Sequence, residues 1–124
     1  MTGPAVEALS LGKRFRNGWL RRRDVTALEG LTLRVEPGEV FGLLGPNGSG
    51  KTTTIKLLLG FLFPTSGRAE VLGRPAGDPA AKARIGFLPE ETYLHTFLTA
   101  EETLDFHASL FGQPPKRFRE RLVL

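Results

Sequence analysis

Alternating and continuous apolar positions divide the chain into several short strands. Leu31, Leu33 and Val35 alternate with polar residues, which predicts a strand with one buried face. Residues 40–44 are continuously apolar and therefore predict a strand buried on both faces. Short segments with several apolar residues predict four more strands, at residues 6–11, 25–28, 69–72 and 85–88. The intervening segments leave room for helices, so that the pattern favours an α/β protein.

Two helices are predicted by apolar spacing together with signals at their ends. The first covers residues 53–59 and stops at Gly60. The second begins at Thr99, which forms a capping-box pair with Glu102. Its apolar residues recur at helical spacing before Gly112 and predict a face that packs in a core, formed by Leu104, Ala108 and Phe111.

Composition narrows the function classes only modestly. The chain has 124 residues, enough for one domain with a real core. It has no cysteine, so disulfides and thiol chemistry are excluded, and no apolar run is long enough to cross a bilayer. The net charge of +4 comes partly from two basic clusters, Arg21 to Arg23 and Lys116 to Arg121. We interpret both as solvated surface. The alternatives are a nucleic-acid surface, which the scarcity of interleaved aromatic residues disfavours, and a surface that lies near anionic lipid headgroups.

The glycine-rich segment after residues 40–44 carries the strongest chemical signal. It has the form G-x-x-x-x-G-K-[ST] and consists of Gly45, Pro46, Asn47, Gly48, Ser49, Gly50, Lys51 and Thr52. Glycines allow backbone N–H groups to approach an anion, and the following helix adds the positive end of its dipole. Lys51 can reach the terminal phosphates, and the Thr52 hydroxyl can ligate Mg²⁺. The segment, extended to Thr53, therefore predicts a site for a nucleoside triphosphate with Mg²⁺.

Together these features resemble the nucleotide-binding subunit of ABC transporters along the whole chain. Residues 41–54 match the Walker A segment of that family, residues 64–67 the turn after its helix, and residues 85–90 its Q-loop. Residues 98–102 resemble the start of its helical subdomain. The resemblance implies a partial P-loop NTPase fold with three parts: an antiparallel β-subdomain at about residues 1–39, a P-loop core at 40–97 and the start of a helical subdomain at 98–124.

Two further site residues are implied only by this resemblance. Phe15 stands where the family stacks an aromatic ring on adenine, although it could instead fill the core of the β-subdomain. Glu90 occupies the Q-loop position, where glutamine is usual, and its carboxylate suits Mg²⁺. Glu91 is the rival for that role and is expected to face solvent. His95 and His107 lack metal-ligand spacing and are expected to be structural.

The family's hydrolytic elements are expected to follow these 124 residues. In the family, the signature segment, the Walker B aspartate, the catalytic glutamate and the switch histidine all come later than the helical start resembled here. We therefore expect residues 1–124 alone to bind ATP without hydrolysing it. We also expect residues 40–44 to present an unpaired strand edge, which favours self-association.

The function that the resemblance implies is that of the ATP-binding subunit of an ABC transporter, coupling ATP binding and hydrolysis to transport. Its cofactors would be ATP and Mg²⁺. Its partners would be transmembrane permease subunits and a second ATP-binding subunit, at the cytoplasmic face of the cell membrane. The acidic Q-loop and the sequence at residues 110–112 are similar to exporters of drugs, antibiotics or lipids. The alternatives are a short non-hydrolysing nucleotide-binding module, a soluble ABC-type ATPase and a small-molecule kinase, although a kinase would need a lid and an acceptor site.

Overall fold

The computed structural model describes residues 3–17, 23–90 and 94–112. The chain divides into two units, Met1–Gly86 and Phe87–Leu124. The described part of the first unit contains a four-stranded sheet and two helices, and that of the second contains one helix. Arg21, Arg22, Glu91 and the basic residues 116–121 lie outside the described residues.

The sheet is antiparallel and has the strand order β2-β1-β3-β4. β1 (Val6–Asn17) and β2 (Arg23–Val35) form a long hairpin. β3 (Ser66–Val71) pairs with the other edge of β1, and the short β4 (Arg74–Pro75) pairs with β3. The sheet thus draws two of its strands from sequence that follows the glycine-rich segment.

The hairpin corrects two strand boundaries that the apolar pattern predicted. The strands expected at residues 25–28 and 31–35 are one strand, and the strand expected at 6–11 continues to Asn17. Inter-strand hydrogen bonds carry the pairing through the polar positions, with register shifts that absorb the irregular spacing around Leu11 and Lys13. The strand predicted at 69–72 is found as β3.

The core of the first unit lies between the sheet and α1 (Lys51–Leu58). Its fully buried centre consists of Ala8, Leu11 and Ala69 from the sheet and Leu57 from the helix. Leu31 and Leu33 pack against this cluster while Thr32 and Arg34 are exposed, as the alternation in β2 predicted.

Two of the helices have a polar cap at the first residue before the helix. α2 (Pro79–Lys82), which the apolar pattern did not predict, follows Asp78, whose carboxylate accepts the N–H groups of Ala80 and Ala81. α3 (Ala100–Leu110) follows Thr99 and has the predicted capping box with Glu102. On the predicted core face of α3, Ala108 is buried, whereas Phe111 is 65% exposed.

The predicted strands at residues 40–44 and 85–88 are not present in the structure. Val40 is 99% exposed and Leu44 is 93% exposed, so the expectation of a buried strand is wrong for this segment as described. A strand buried on both faces needs hydrogen-bonded neighbours, and none of the four described strands pairs with either segment.

Candidate functional site

A tight turn shapes the glycine-rich loop, residues 45–50, immediately before α1. The N–H of Ser49 donates to the carbonyl of Pro46 over 3.2 Å. Gly48, the third residue of this turn, has φ of +83°, which residues with a side chain rarely adopt. The loop therefore reverses direction over four residues and brings the chain to the first residue of the helix.

Gly50 places the end of the loop directly against the β1–β2 hairpin. Its φ is +93°, and a Cβ atom at this position would lie 2.7 Å from the carbonyl oxygen of Ala27 and 3.3 Å from the side chain of Leu28. Both residues belong to β2. Any larger residue at position 50 would separate the loop from the hairpin, so a glycine is required by both torsion angle and space.

The N-terminus of α1 has no side-chain cap and no acidic residue in its first turn. Thr54 donates both its backbone N–H (2.8 Å) and its hydroxyl (2.9 Å) to the carbonyl of Gly50, which closes the first turn. The N–H groups of Lys51, Thr52 and Thr53 precede that bond and therefore lack intrahelical acceptors. Unpaired N–H groups and the positive end of the helix dipole together make this end suitable for an anion.

The side chain of Lys51 lies across the glycine-rich loop. Its ammonium donates to the carbonyl of Gly45 over 2.5 Å and to the carbonyl of Pro46 over 2.8 Å. An ammonium group has three donors, so one remains for a ligand when both bonds are made. The positive charge is thereby held at the first two residues of the loop.

The Thr52 hydroxyl has the chemistry that a magnesium site at a triphosphate needs. Mg²⁺ prefers oxygen ligands and is usually held by one or two protein groups together with phosphates and waters. Thr52 is exposed in the first turn of α1. The described residues contain no cluster of three or more His, Cys, Asp or Glu residues that could hold a metal by itself.

Glu90, the other predicted metal ligand, belongs to the second unit. It is exposed, and it follows Pro89 at a bend in the chain. Its role at a metal remains a prediction.

Phe15 lies on β1, in the same unit as the glycine-rich loop, and pairs with Val25 of β2. It is half-buried, and the fully buried core cluster is formed by other residues. The ammonium of Lys13 lies over its ring, 5.2 Å from the centroid. Lys13 pairs with Leu28, one of the two β2 residues against which Gly50 lies.

Sequence reasoning missed two residues that shape this site. Thr54 is 1% exposed and fixes the Gly50 carbonyl, and Lys13 contacts Phe15. A threonine two residues after the G-x-x-x-x-G-K-T run was a visible signal for Thr54, whereas the contact of Lys13 depends on the strand geometry.

The two histidines take part in aromatic contacts within the second unit. The ring of His95 lies 5.2 Å from that of Phe97 and 5.8 Å from that of Phe106, and His107 lies 5.5 Å from Phe106. These contacts agree with the structural role predicted for both. None of the described helices combines the length and the apolar character that crossing a bilayer requires.

Comparison with known proteins gives consistent matches. The family model described as ABC transporter matches residues 28–122. An uncharacterized ABC transporter ATP-binding protein of Synechocystis sp. is 47% identical over 96% of this chain and 33% of its own length. The probable multidrug ABC transporter ATP-binding protein YbhF of Escherichia coli (strain K12) is 38% identical over 94% of this chain and 19% of its own length.

A solved structure of the ATP-binding subunit of an ABC transporter has the same fold as this chain. It superposes with a TM-score of 0.75 and 30% sequence identity, over 96% of this chain and 48% of that one. The chain spans about a third of the length of the first curated relatives it matches.

Proposed function

Because this chain belongs to the ABC transporter family, we propose that it binds ATP with Mg²⁺ at residues 45–53 and acts as the ATP-binding subunit of a transporter. The observation that carries the proposal is the uncapped N-terminus of α1, next to a loop across which Lys51 is held. Side chains of the protein close the other two described helix starts.

Each part of the site would bind a different part of the nucleotide. The N–H groups of residues 51–53 and the ammonium of Lys51 would bind the phosphates, and the Thr52 hydroxyl would ligate Mg²⁺. Bound Mg²⁺ would neutralise charge on the phosphate oxygens. Phe15 would stack on the adenine ring, and its half-buried position on the hairpin supports this over a role in the core.

Replacement of Lys51 tests the phosphate site. Lys51→Ala removes a cation that makes charge-assisted hydrogen bonds, each worth about 1.5–3 kcal/mol, so the affinity for Mg·ATP should fall at least about tenfold. Lys56→Ala is the matched control, because Lys56 lies in the last turn of the same helix. Calorimetric titration should show normal affinity for the control, whereas equal affinities of the two variants would refute the site.

We propose further that ATP binding and hydrolysis in the whole protein are coupled to transport. Its partners would be transmembrane permease subunits and a second ATP-binding subunit at the cytoplasmic face of the membrane. The similarity to YbhF, a probable multidrug ABC transporter ATP-binding protein, supports an exporter over an importer. Reconstitution of the protein with its permease, followed by ATP-dependent efflux of a dye, tests this assignment; uptake alone would contradict it.

Glu90 would link the metal to the helical part of the protein. Glu90→Ala in the full-length protein should then reduce ATPase turnover more than ATP binding, because interactions made only in the transition state affect mainly turnover. Weaker binding with unchanged turnover per bound nucleotide would contradict this role.

A further inference from the structure

The side chain of Lys13 joins the hairpin to the segment that follows α1. Its ammonium donates to the carbonyl of Phe63 over 2.7 Å and lies over the ring of Phe15, 5.2 Å from the centroid. A cation in this position is attracted by the negative face of the ring. One group therefore contacts both the aromatic side chain and the backbone that leads out of the helix.

Backbone contacts on either side hold this segment without the help of Lys13. The N–H of Arg14 donates to the hydroxyl of Thr65 over 3.1 Å, and the N–H of Thr65 donates to the carbonyl of Gly12 over 2.8 Å. The link between β1 and residues 63–65 would survive the loss of the ammonium. The ammonium is therefore one of several links to this segment, and what Lys13 adds beyond them is its contact with the ring of Phe15.

We propose that Lys13 is a positioning residue that holds the ring of Phe15 for stacking on the base of the nucleotide. The hydrogen bond to Phe63 fixes the ammonium, and the ammonium covers one face of the ring and restrains its rotation. The other face is then presented to a base in a fixed orientation, which reduces the entropy lost on binding. The inference rests on the proposed ATP site and adds a residue outside the phosphate-binding segment.

The loss of affinity on replacing Lys13 should require both a base in the ligand and the ring of Phe15 in the protein. Lys13→Met keeps an unbranched chain of similar length and removes the charge. It should weaken Mg·ATP about two- to fivefold, because the ring would then have to be ordered on binding, and leave inorganic tripolyphosphate unaffected. Lys13→Arg, which can both donate to the carbonyl and lie on the ring, should restore the affinity. In a Phe15→Ala protein, Lys13→Met should have no further effect.

Lys82 provides a matched control elsewhere in the same unit. Its ammonium lies 5.7 Å from the centroid of Phe61 and 3.4 Å from the carbonyl of Gly60, so Lys82→Met removes a similar pair of contacts. Binding of ATP and of tripolyphosphate, measured by calorimetry, should be unchanged in this control.

The outcomes distinguish an error about the role of Lys13 from an error about the nucleotide site. An equal loss for ATP and tripolyphosphate, an effect that persists without Phe15, or no effect of Lys13→Met would each overturn the role of Lys13. Failure of the unaltered protein to bind either ligand would instead refute the nucleotide site itself.

Discussion

The helices α1 and α3 begin in opposite ways, although each has four N–H groups to satisfy. α3 is preceded by Thr99, and its third residue, Glu102, returns a carboxylate to the N–H of Thr99. α1 is preceded by Gly50, which has no side chain to offer, and its third residue is Thr53. The protein caps the start of α3 with its own side chains and leaves the start of α1 available to a ligand.

The two helix starts also differ in their acidic residues. The first turn of α3 contains Glu101 and Glu102, which complement the helix dipole, whereas the first turn of α1 contains no acidic residue. A carboxylate in α1 would stabilise the helix alone but would compete with a phosphate for the same N–H groups. Comparing the two helices therefore separates residues that serve folding from residues that serve binding.

The largest expected effect comes from giving α1 an acidic first turn like that of α3. Thr52→Glu places a negative charge where Glu101 lies in α3. Repulsion of the triphosphate should weaken ATP by more than about tenfold relative to Thr52→Gln, which has the same size without the charge. The melting temperature should not fall, because the new charge complements the dipole. Calorimetric titrations and thermal melts test both parts, and equal affinities of the Glu and Gln variants would contradict the account.

The converse change removes the cap of α3. Thr99→Ala deletes the hydroxyl that accepts the N–H of Glu102 and should destabilise this helix by about 1 kcal/mol. ATP affinity should stay unchanged, since the residue belongs to the closed helix end. Amide exchange of residues 100–104 measures the first effect. A loss of ATP affinity comparable to that of Thr52→Glu would show that the two ends are not functionally distinct.

The smallest predicted effect is the pH dependence of α3. The backbone N–H of Thr99 (2.8 Å) and its hydroxyl (3.0 Å) donate to the carboxylate of Glu102 and hold its pKa below the ordinary value. Because the pKa is lower in the folded state, ionised Glu102 stabilises the helix at every pH above the ordinary pKa of a glutamate. This stabilisation is lost as the pH falls through the lowered pKa. Carbon chemical shifts of residues 100–104 should therefore report fraying in acid. Glu102→Gln should remove that dependence, and a profile unaffected by the substitution would assign it to another group.

Local signals in the sequence were sufficient for the cap of α3, for the buried face of β2 and for a helix after the glycine-rich segment. The G-x-x-x-x-G-K-T segment, the capping box at Thr99 and the alternation of Leu31 and Leu33 each depend on neighbouring residues, and the structure contains all three. The cap of α2 was also visible as Asp78 followed by Pro79. The similarity to solved ABC cassettes confirms the predicted fold class.

The features that the sequence could not predict depend on contacts between distant segments. The continuity of β2 through Gly30 comes from its pairing with β1. The exposed state of residues 40–44 follows from the lack of a described neighbouring strand, which no apolar pattern reveals. The contact of Lys13 with Phe63 joins residues 50 positions apart.

The central claim is that the open end of α1, and not the closed end of α3, binds the triphosphate. Amide chemical shifts of the ¹⁵N-labelled protein, followed during titration with Mg·ATP, test it most directly. The account predicts large, saturable shifts for the N–H groups of Lys51, Thr52 and Thr53 and small shifts for those of Glu101 and Glu102. Large shifts at the start of α3 with unchanged amides at the start of α1 would contradict it.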